Sequence, residues 1–425
     1  MSDAVRRFAV VVSMMSMMSA GCGSGGGSTP QQTPAAEAAK PGSFGNDVAF
    51  LKAHTNVVVL SSEDGRSQIA VAPEYQGRVM TSSADGPSGA SFGYVHRPGV
   101  EAGTRQPHMT VLGGEDRFWL GPEGGQYALY FPPKSAFDTD HWQVPEPIDW
   151  GGWSVASQQP HEIAFEKAMT LANYAATSFT LRVNRIVRLL DAAAIARALG
   201  QAPAPSLRTV GYESDNRITN TGTAPWRRET GLVSIWILGQ MRPGPQTTVV
   251  LPFVAGDERH LGPIVNDKYF GVIPPDRLHV GDAALFFRAD GLRRGKIGVP
   301  RSRARDVAGS YDSAGHVLTI VQFTLPPDAH DYVNSMWEQQ ARPYGGDVVN
   351  SYNDGPIGPG QPPLGPFYEI ESSSPAAALA PGASLQHVHR TLHVQGPDAD
   401  LDRIARAVLG VSLEQIATSL PASRP

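Results

Sequence analysis

Cysteine is almost absent: Cys22 is the single one in 425 residues. An internal disulfide is therefore excluded, and so are cysteine-based zinc sites and cysteine–histidine nucleophile pairs in the body of the chain. No apolar run reaches the roughly 20 residues that a membrane-spanning helix needs. Charge of one sign is missing too. Lys and Arg number 35 against 40 Asp and Glu, a formal net charge of −5, and no basic stretch is dense enough to follow a nucleic-acid backbone. A phosphate-binding loop, a GxGxxG opening a helix, HExxH and GxSxG are not found, so kinase, Rossmann dehydrogenase, zincin and α/β-hydrolase readings have no support.

What is present begins with an export signal. Arg6 and Arg7 precede the short apolar run Phe8 to Met18, and Ser19, Ala20, Gly21 and Cys22 follow. Basic, apolar and small residues in that order predict a secretory signal peptide over residues 1–22. Its Ser-Ala-Gly-Cys ending resembles a bacterial lipobox, which predicts lipid attachment at Cys22 and accounts for the lone thiol. Residues 23–43 are mostly Gly, Ser, Thr, Pro, Gln and Ala, a composition that buries no core. A tether of this length reaches roughly 25 Å. The expected localisation is the bacterial cell envelope, with the protein lipid-anchored to a membrane at its periplasmic face or at the cell surface.

The remainder is rich in turn formers, with 45 Gly and 36 Pro along the chain. Many short strands joined by turns are expected. Strand-like runs are Asn56–Leu60, Gln68–Val71, Met109–Leu112, Tyr127–Phe131, Ser178–Leu190, Thr230–Leu238, Thr247–Val254, His316–Leu325, Phe367–Glu371 and Leu385–Val394. In Ser178–Leu190 the residues Phe179, Leu181, Val183 and Arg185 alternate with Thr180, Arg182, Asn184 and Ile186, the period of two that sends one face inward. Helical signal is confined to Asp191–Leu199, Asp400–Leu409 and a turn or two at Asn334–Gln340. The fold class expected is all-β over residues 44–396, with a few peripheral short helices and a helical extension over 397–425.

Several segments, in order, resemble the galactose mutarotase-like superfamily. Pro73, Gly77, Arg78 and Val79 are similar to its opening edge strand. Gly113 to Gln126 is similar to a Gly-rich strand whose Arg reaches the sugar cleft, a role that falls to Arg117. Asn216 to Trp226 resembles a strand and turn that leads, in true mutarotases, to a His-Pro-Tyr-Phe segment carrying the general acid. Here that stretch reads Leu232 to Leu238 and holds no His. Gly365 to Pro375, with Leu379, Pro381 and Gly382 after it, resembles the closing strand with its catalytic Glu. The resemblance implies a large β-supersandwich and a carbohydrate or glycan ligand.

The candidate catalytic residues are Glu369, Glu371 and Arg117. The two glutamates lie two apart in a strand and so share a face, where two carboxylates can divide acid and base roles. The candidate substrate-binding residues are Trp119, Glu123, His260, Asp267, Lys268, Tyr269 and Lys296, since sugars are held by planar polar groups and aromatic faces. The pair Trp150 and Trp153 also suits a cleft wall. His387, His389 and His393 share one strand face and are read as a polar face rather than as metal ligands. No cofactor, metal or nucleic acid is expected. Two functions follow: a carbohydrate-active enzyme doing proton-transfer chemistry (epimerase, isomerase or lyase), or a non-catalytic glycan-binding envelope lipoprotein.

Overall fold

The computed structural model describes residues 40–358 and 360–421. The signal, Cys22 and most of the tether lie outside them. The first element among the described residues is a helix, α1 (Phe44–His54), at the expected start of the β domain. Ser43 caps it by accepting a hydrogen bond from the Asn46 amide at 3.2 Å, and Phe44 and Leu51 are buried.

Eighteen strands follow among the described residues. The first six are β1 (Val58–Ser61), β2 (Gln68–Ala72), β3 (Arg78–Ser83), β4 (Arg117–Gly121), β5 (Ser154–Gln159) and β6 (Glu162–Ala172). The next six are β7 (Ser178–Leu189), β8 (Arg208–Asn220), β9 (Ser234–Met241), β10 (Thr247–Pro252), β11 (Leu278–Val280) and β12 (Ala284–Arg288). The last six are β13 (Gly295–Pro300), β14 (Val307–Asp312), β15 (Val317–Phe323), β16 (Asp347–Asn353), β17 (Tyr368–Ser373) and β18 (Ser384–Gln395). They form a ten-stranded sheet in the order β11-β12-β10-β14-β15-β18-β8-β7-β6-β5, a five-stranded sheet β13-β16-β17-β9-β4 and a three-stranded sheet β1-β2-β3. The resulting architecture is a large β-sandwich with few short helices.

The two larger sheets pack face to face. Phe118, Leu120, Ile235 and Ile237 of the smaller sheet share a core with Ile163, Phe165, Phe179 and Leu181 of the larger one. Ile297, Val299, Val349 and Ile370 do the same against Val249, Leu251, Leu285 and Phe287. The period of two read in Ser178–Leu190 is present in β7, whose Phe179, Leu181, Val183, Arg185, Val187 and Leu189 are all buried. Two short helices, α2 (Arg97–Ala102) and α3 (Glu146–Asp149), lie in the connections, and the outer face of the large sheet is covered by α4 (Ala192–Leu199), α6 (Asp398–Val408) and α7 (Leu413–Thr418), through Ile195, Leu199, Leu401, Ile404 and Ile416.

Some expected elements are absent. Met109–Leu112, Tyr127–Phe131 and Asn334–Gln340 are loops and turns. Met109, Leu112, Ala128, Leu129, Tyr130 and Phe131 are nonetheless buried, without forming strands. The segment resembling an opening edge strand lies in the separate three-stranded sheet, where Arg78 is buried and donates to the Gly113 carbonyl at 2.6 Å. Burial pushes its guanidinium down to about 9.

The histidines of β18 share one polar face, and it is buried because it points at the smaller sheet. His387 and His389 are fully buried and both contact the Ser372 hydroxyl at 2.8 Å. Burial drives their imidazoles down to about 3 and about 4. His393 contacts Glu115 at 3.1 Å.

Candidate functional site: a cleft on the outer face of the five-stranded sheet

Strand alternation sends every second side chain of the five-stranded sheet away from the core. Register fixes which ones meet. Lys296 pairs with Tyr352, Tyr352 with Glu369 and Glu369 with Gln240. One step along, Glu371 pairs with Leu238 and Leu238 with Arg117, and beyond these Trp236 pairs with Trp119. All of these except Glu371, which lies buried beneath them, form the floor of a cleft of about 390 Å³, a size typical of small-ligand sites.

Two ion pairs cross the floor. Arg117 binds Glu369. Lys296 donates to Glu371 at 2.8 Å, and the Trp236 indole N–H donates to the same Glu371 oxygen at 2.9 Å. All four ionic groups are buried. The cations also sit on rings: Arg117 lies 4.9 Å from the Trp119 centroid, and Lys296 lies 4.7 Å from that of Trp236. Such contacts hold each charge while leaving hydrogen-bonding capacity unused. Arg117 Nε, Trp119 Nε1, Gln240 Oε1 and Glu371 Oε1 are buried and have no protein partner. Buried polar atoms are normally satisfied, so unpartnered ones around one cleft mark a place for a ligand or water.

Burial pushes the Glu369 carboxyl up to about 7, with Arg117 opposing the rise and Glu371 adding to it. Glu123, in the same wall, is also raised by burial, against the pull of Lys296. The Lys296 ammonium stays above its ordinary value: burial works against it, but Glu371, Glu123 and Glu369 together outweigh that effect.

The walls come from loops. Trp142 and Trp337 stack with centroids 6.0 Å apart, and Phe270 meets Trp337 edge-on at 6.3 Å. At the rim, His108 Nδ1 lies 2.6 Å from the Trp142 carbonyl. A carbonyl only accepts, so Nδ1 carries the proton in this contact.

The cleft therefore gathers Arg117, Trp119, Glu123, Lys296 and Glu369 from the expected site, with Glu371 directly behind Lys296. Other expected residues fall elsewhere. His260 lies in the short helix α5 (Glu258–Leu261), on the surface, and Asp267 and Lys268 do not line the cleft. The polar loop that carries them turns its next residues inward instead. The Tyr269 hydroxyl donates to Asp347 at 2.6 Å beside Lys296, and Phe270 forms wall. Trp150 and Trp153 are not in the cleft either: Trp153 is buried in the core, edge-on to Phe118 at 5.2 Å.

Sequence reasoning missed Trp236, Leu238, Gln240, Phe270, Arg294 and Tyr352 as cleft residues. A usable signal existed for Arg294, which lies two residues from Lys296 just as Glu369 lies two from Glu371.

No curated protein matches the sequence. By structure, the chain is similar to the Slr1438 protein from Synechocystis sp. PCC 6803, with a TM-score of 0.49 and 12% identity over 81% of this chain and 96% of that one. It is also similar to a galactose mutarotase-like protein from Lactobacillus casei ATCC 334, with a TM-score of 0.43 and 8% identity over 80% of this chain and 100% of that one. A galactose mutarotase related enzyme from Lactobacillus acidophilus gives a TM-score of 0.43 at 9% identity over 80% of this chain and 97% of that one. By sequence, the match runs from just before α1 to just after α7: residues 42–420 fit the model of DUF6786, a family of unknown function, and the chain belongs to that family.

Proposed function

We propose that the cleft binds a sugar and that Glu369 moves a proton on it, in an epimerisation, an isomerisation or a β-elimination. The observation that carries this reading is the convergence of the Arg117–Glu369 and Lys296–Glu371 pairs on one aromatic-walled cleft. Rings such as Trp119 and Trp337 suit the C–H face of a pyranose, and the unpartnered polar atoms suit its hydroxyls. A carboxyl poised near neutrality is matched to general acid–base work. Glu369 takes a proton from a sugar hydroxyl, or from a C–H beside a carbonyl, placed within about 3 Å of it. Arg117 steadies the negative charge that develops on the substrate oxygen.

Proton NMR in deuterium oxide tests this, with a panel of aldoses, ketoses and uronates. The protein should speed either exchange between anomers or deuterium entry at a ring carbon. Ligand binding without any exchange favours the second reading, a non-catalytic glycan-binding lipoprotein. One observation supports that alternative: β9 places Trp236 and Leu238 on the cleft floor where the resemblance led to a segment bearing a catalytic His.

We place the protein at a bacterial envelope, held by lipid on Cys22. Among the described residues no helix is long and apolar enough to cross a membrane. Lipid chains on Cys22 would supply the membrane affinity. Cys22→Ala should therefore move the protein from the detergent phase to the aqueous phase in a phase-partition assay. Wild-type protein found in the aqueous phase would refute the anchor.

A further inference from the structure

Three cations line the cleft: Arg117, Lys296 and Arg294. The first two are each paired with a carboxylate. Arg294 forms no ion pair with any described residue, and its Nε is buried and unpartnered. The side chain is nonetheless well fixed. Its guanidinium lies 3.7 Å from the centroid of Phe270. The backbone beneath it is pinned, since Asn353 Nδ2 donates to the Arg293 carbonyl at 2.9 Å. Phe270 in turn packs edge-on against Trp337 and Tyr352.

Two other carboxylates line the cleft. Asp140 is exposed at the rim, where water solvates it. Glu123 is buried in the wall, and the cation that acts on it most strongly is Lys296, ahead of Arg294. Arg294 is thus an ordered, half-buried positive charge without an ion-pair partner among the described residues, lining the ligand space. Holding a guanidinium partly out of water without a partner is costly, and the cost is recovered when an anion occupies the site. One uncommitted charge fits a monoanion, and the planar fork of a guanidinium fits a carboxylate in two parallel hydrogen bonds.

We infer that the ligand is an acidic sugar of the uronate type, whose carboxylate is received by Arg294. This rests on the sugar-binding reading above and adds the substrate class to it. Arg294 is then the specificity-determining residue of the cleft, while Arg117 and Lys296 stay with their glutamates.

Calorimetric titration of the whole protein tests the inference. The probes are glucuronate, galacturonate and mannuronate, the methyl ester of each, and glucose 6-phosphate. Charge-assisted hydrogen bonds of this kind correspond to an affinity difference of about 10-fold or more. The wild type should bind one of the acids at least that much more tightly than its neutral ester, and more tightly than the phosphate. In Arg294→Gln the ratio of acid to ester affinity should fall to about one. Arg294→Lys keeps the charge but loses the fork, and should retain part of the preference. Melting curves of both variants check that the fold is kept. An ester that binds as well as its acid, a phosphate preferred over every uronate, or a preference that survives Arg294→Gln overturns the inference and leaves the sugar-binding reading standing. Binding of none of the probes, together with none of the neutral sugars, removes both.

Discussion

Glu369→Gln lowers turnover of the sugar substrate by about 100- to 10,000-fold, the range that general acid–base catalysis supplies, and leaves ligand affinity within a few-fold. The substitution keeps the shape of the side chain and its hydrogen-bonding reach to Arg117, but the amide cannot accept a proton. Glu371→Gln behaves differently. Glu371 is the shared acceptor for Lys296 and the Trp236 indole, so its loss loosens the cleft floor and shows mainly in affinity or stability. If Glu369→Gln retains full turnover, Glu369 is not the base.

The pH dependence has a definite sign. In the proposed mechanism the ionised carboxylate is the base, and its folded value is about 7. Turnover through this group therefore rises as pH increases through about 7. The stability effect runs the other way. The folded value lies above the ordinary 4.5, so the stabilising contribution of Glu369 is complete below about 4.5 and is lost as pH rises through about 7. Glu369→Gln should remove both dependences, which a pH–rate profile and unfolding titrations at several pH values would register.

The second large effect is structural and lies beneath the cleft. Glu115 and Asp116 immediately precede β4, and both are fully buried between the sheets. Asp116 accepts from Arg185, another fully buried residue, and from the Ser214 hydroxyl at 2.8 Å. Arg185 also donates to Asn216 at 2.6 Å and to the Gly77 carbonyl at 3.1 Å. Glu115 accepts from the Ser82 amide at 2.6 Å and from the Tyr212 hydroxyl at 2.9 Å. These contacts clamp the start of β4 to the large sheet, and the next residue, Arg117, is turned out into the cleft.

Arg185→Met leaves the Asp116 carboxylate buried without its cation. Breaking a buried pair from one side costs about 3–5 kcal/mol, and the urea midpoint should fall accordingly. Pairing Arg185→Met with Asp116→Asn removes the orphaned charge and should recover part of the loss. A midpoint shift equivalent to less than about 1 kcal/mol, the scale of an exposed pair, would show that the clamp is not energetically important.

The contrast between these two regions explains what was legible in the sequence. Period-two alternation is a local property, so β7 could be read directly, down to the inward face that carries Arg185. The shared face of Glu369 and Glu371 was legible for the same reason. The Gly-rich approach to Arg117 was legible through resemblance. The walls were not: Phe270, Trp142 and Trp337 arrive on loops far apart in sequence, and nothing local distinguishes a cleft Trp from a core Trp. Trp153 shows this: it follows two glycines, a setting that suits a cleft wall, yet it packs on Phe118. The burial of the β18 histidines was hidden for a related reason. Alternation says that they share a face, but only the second sheet decides that the face is dry.

The most direct test of the account uses the cleft's own chromophores. Trp119, Trp142, Trp236 and Trp337 line it, four of the seven tryptophans in the chain. Fluorescence titration of the whole protein with a panel of neutral and acidic sugars and short glycans should give a saturable change with at least one of them. That change should persist in Glu369→Gln and vanish in Trp119→Ala. A signal that stays flat across the panel, or one that survives loss of Trp119 unchanged, would contradict the placement of a sugar site on the outer face of the five-stranded sheet.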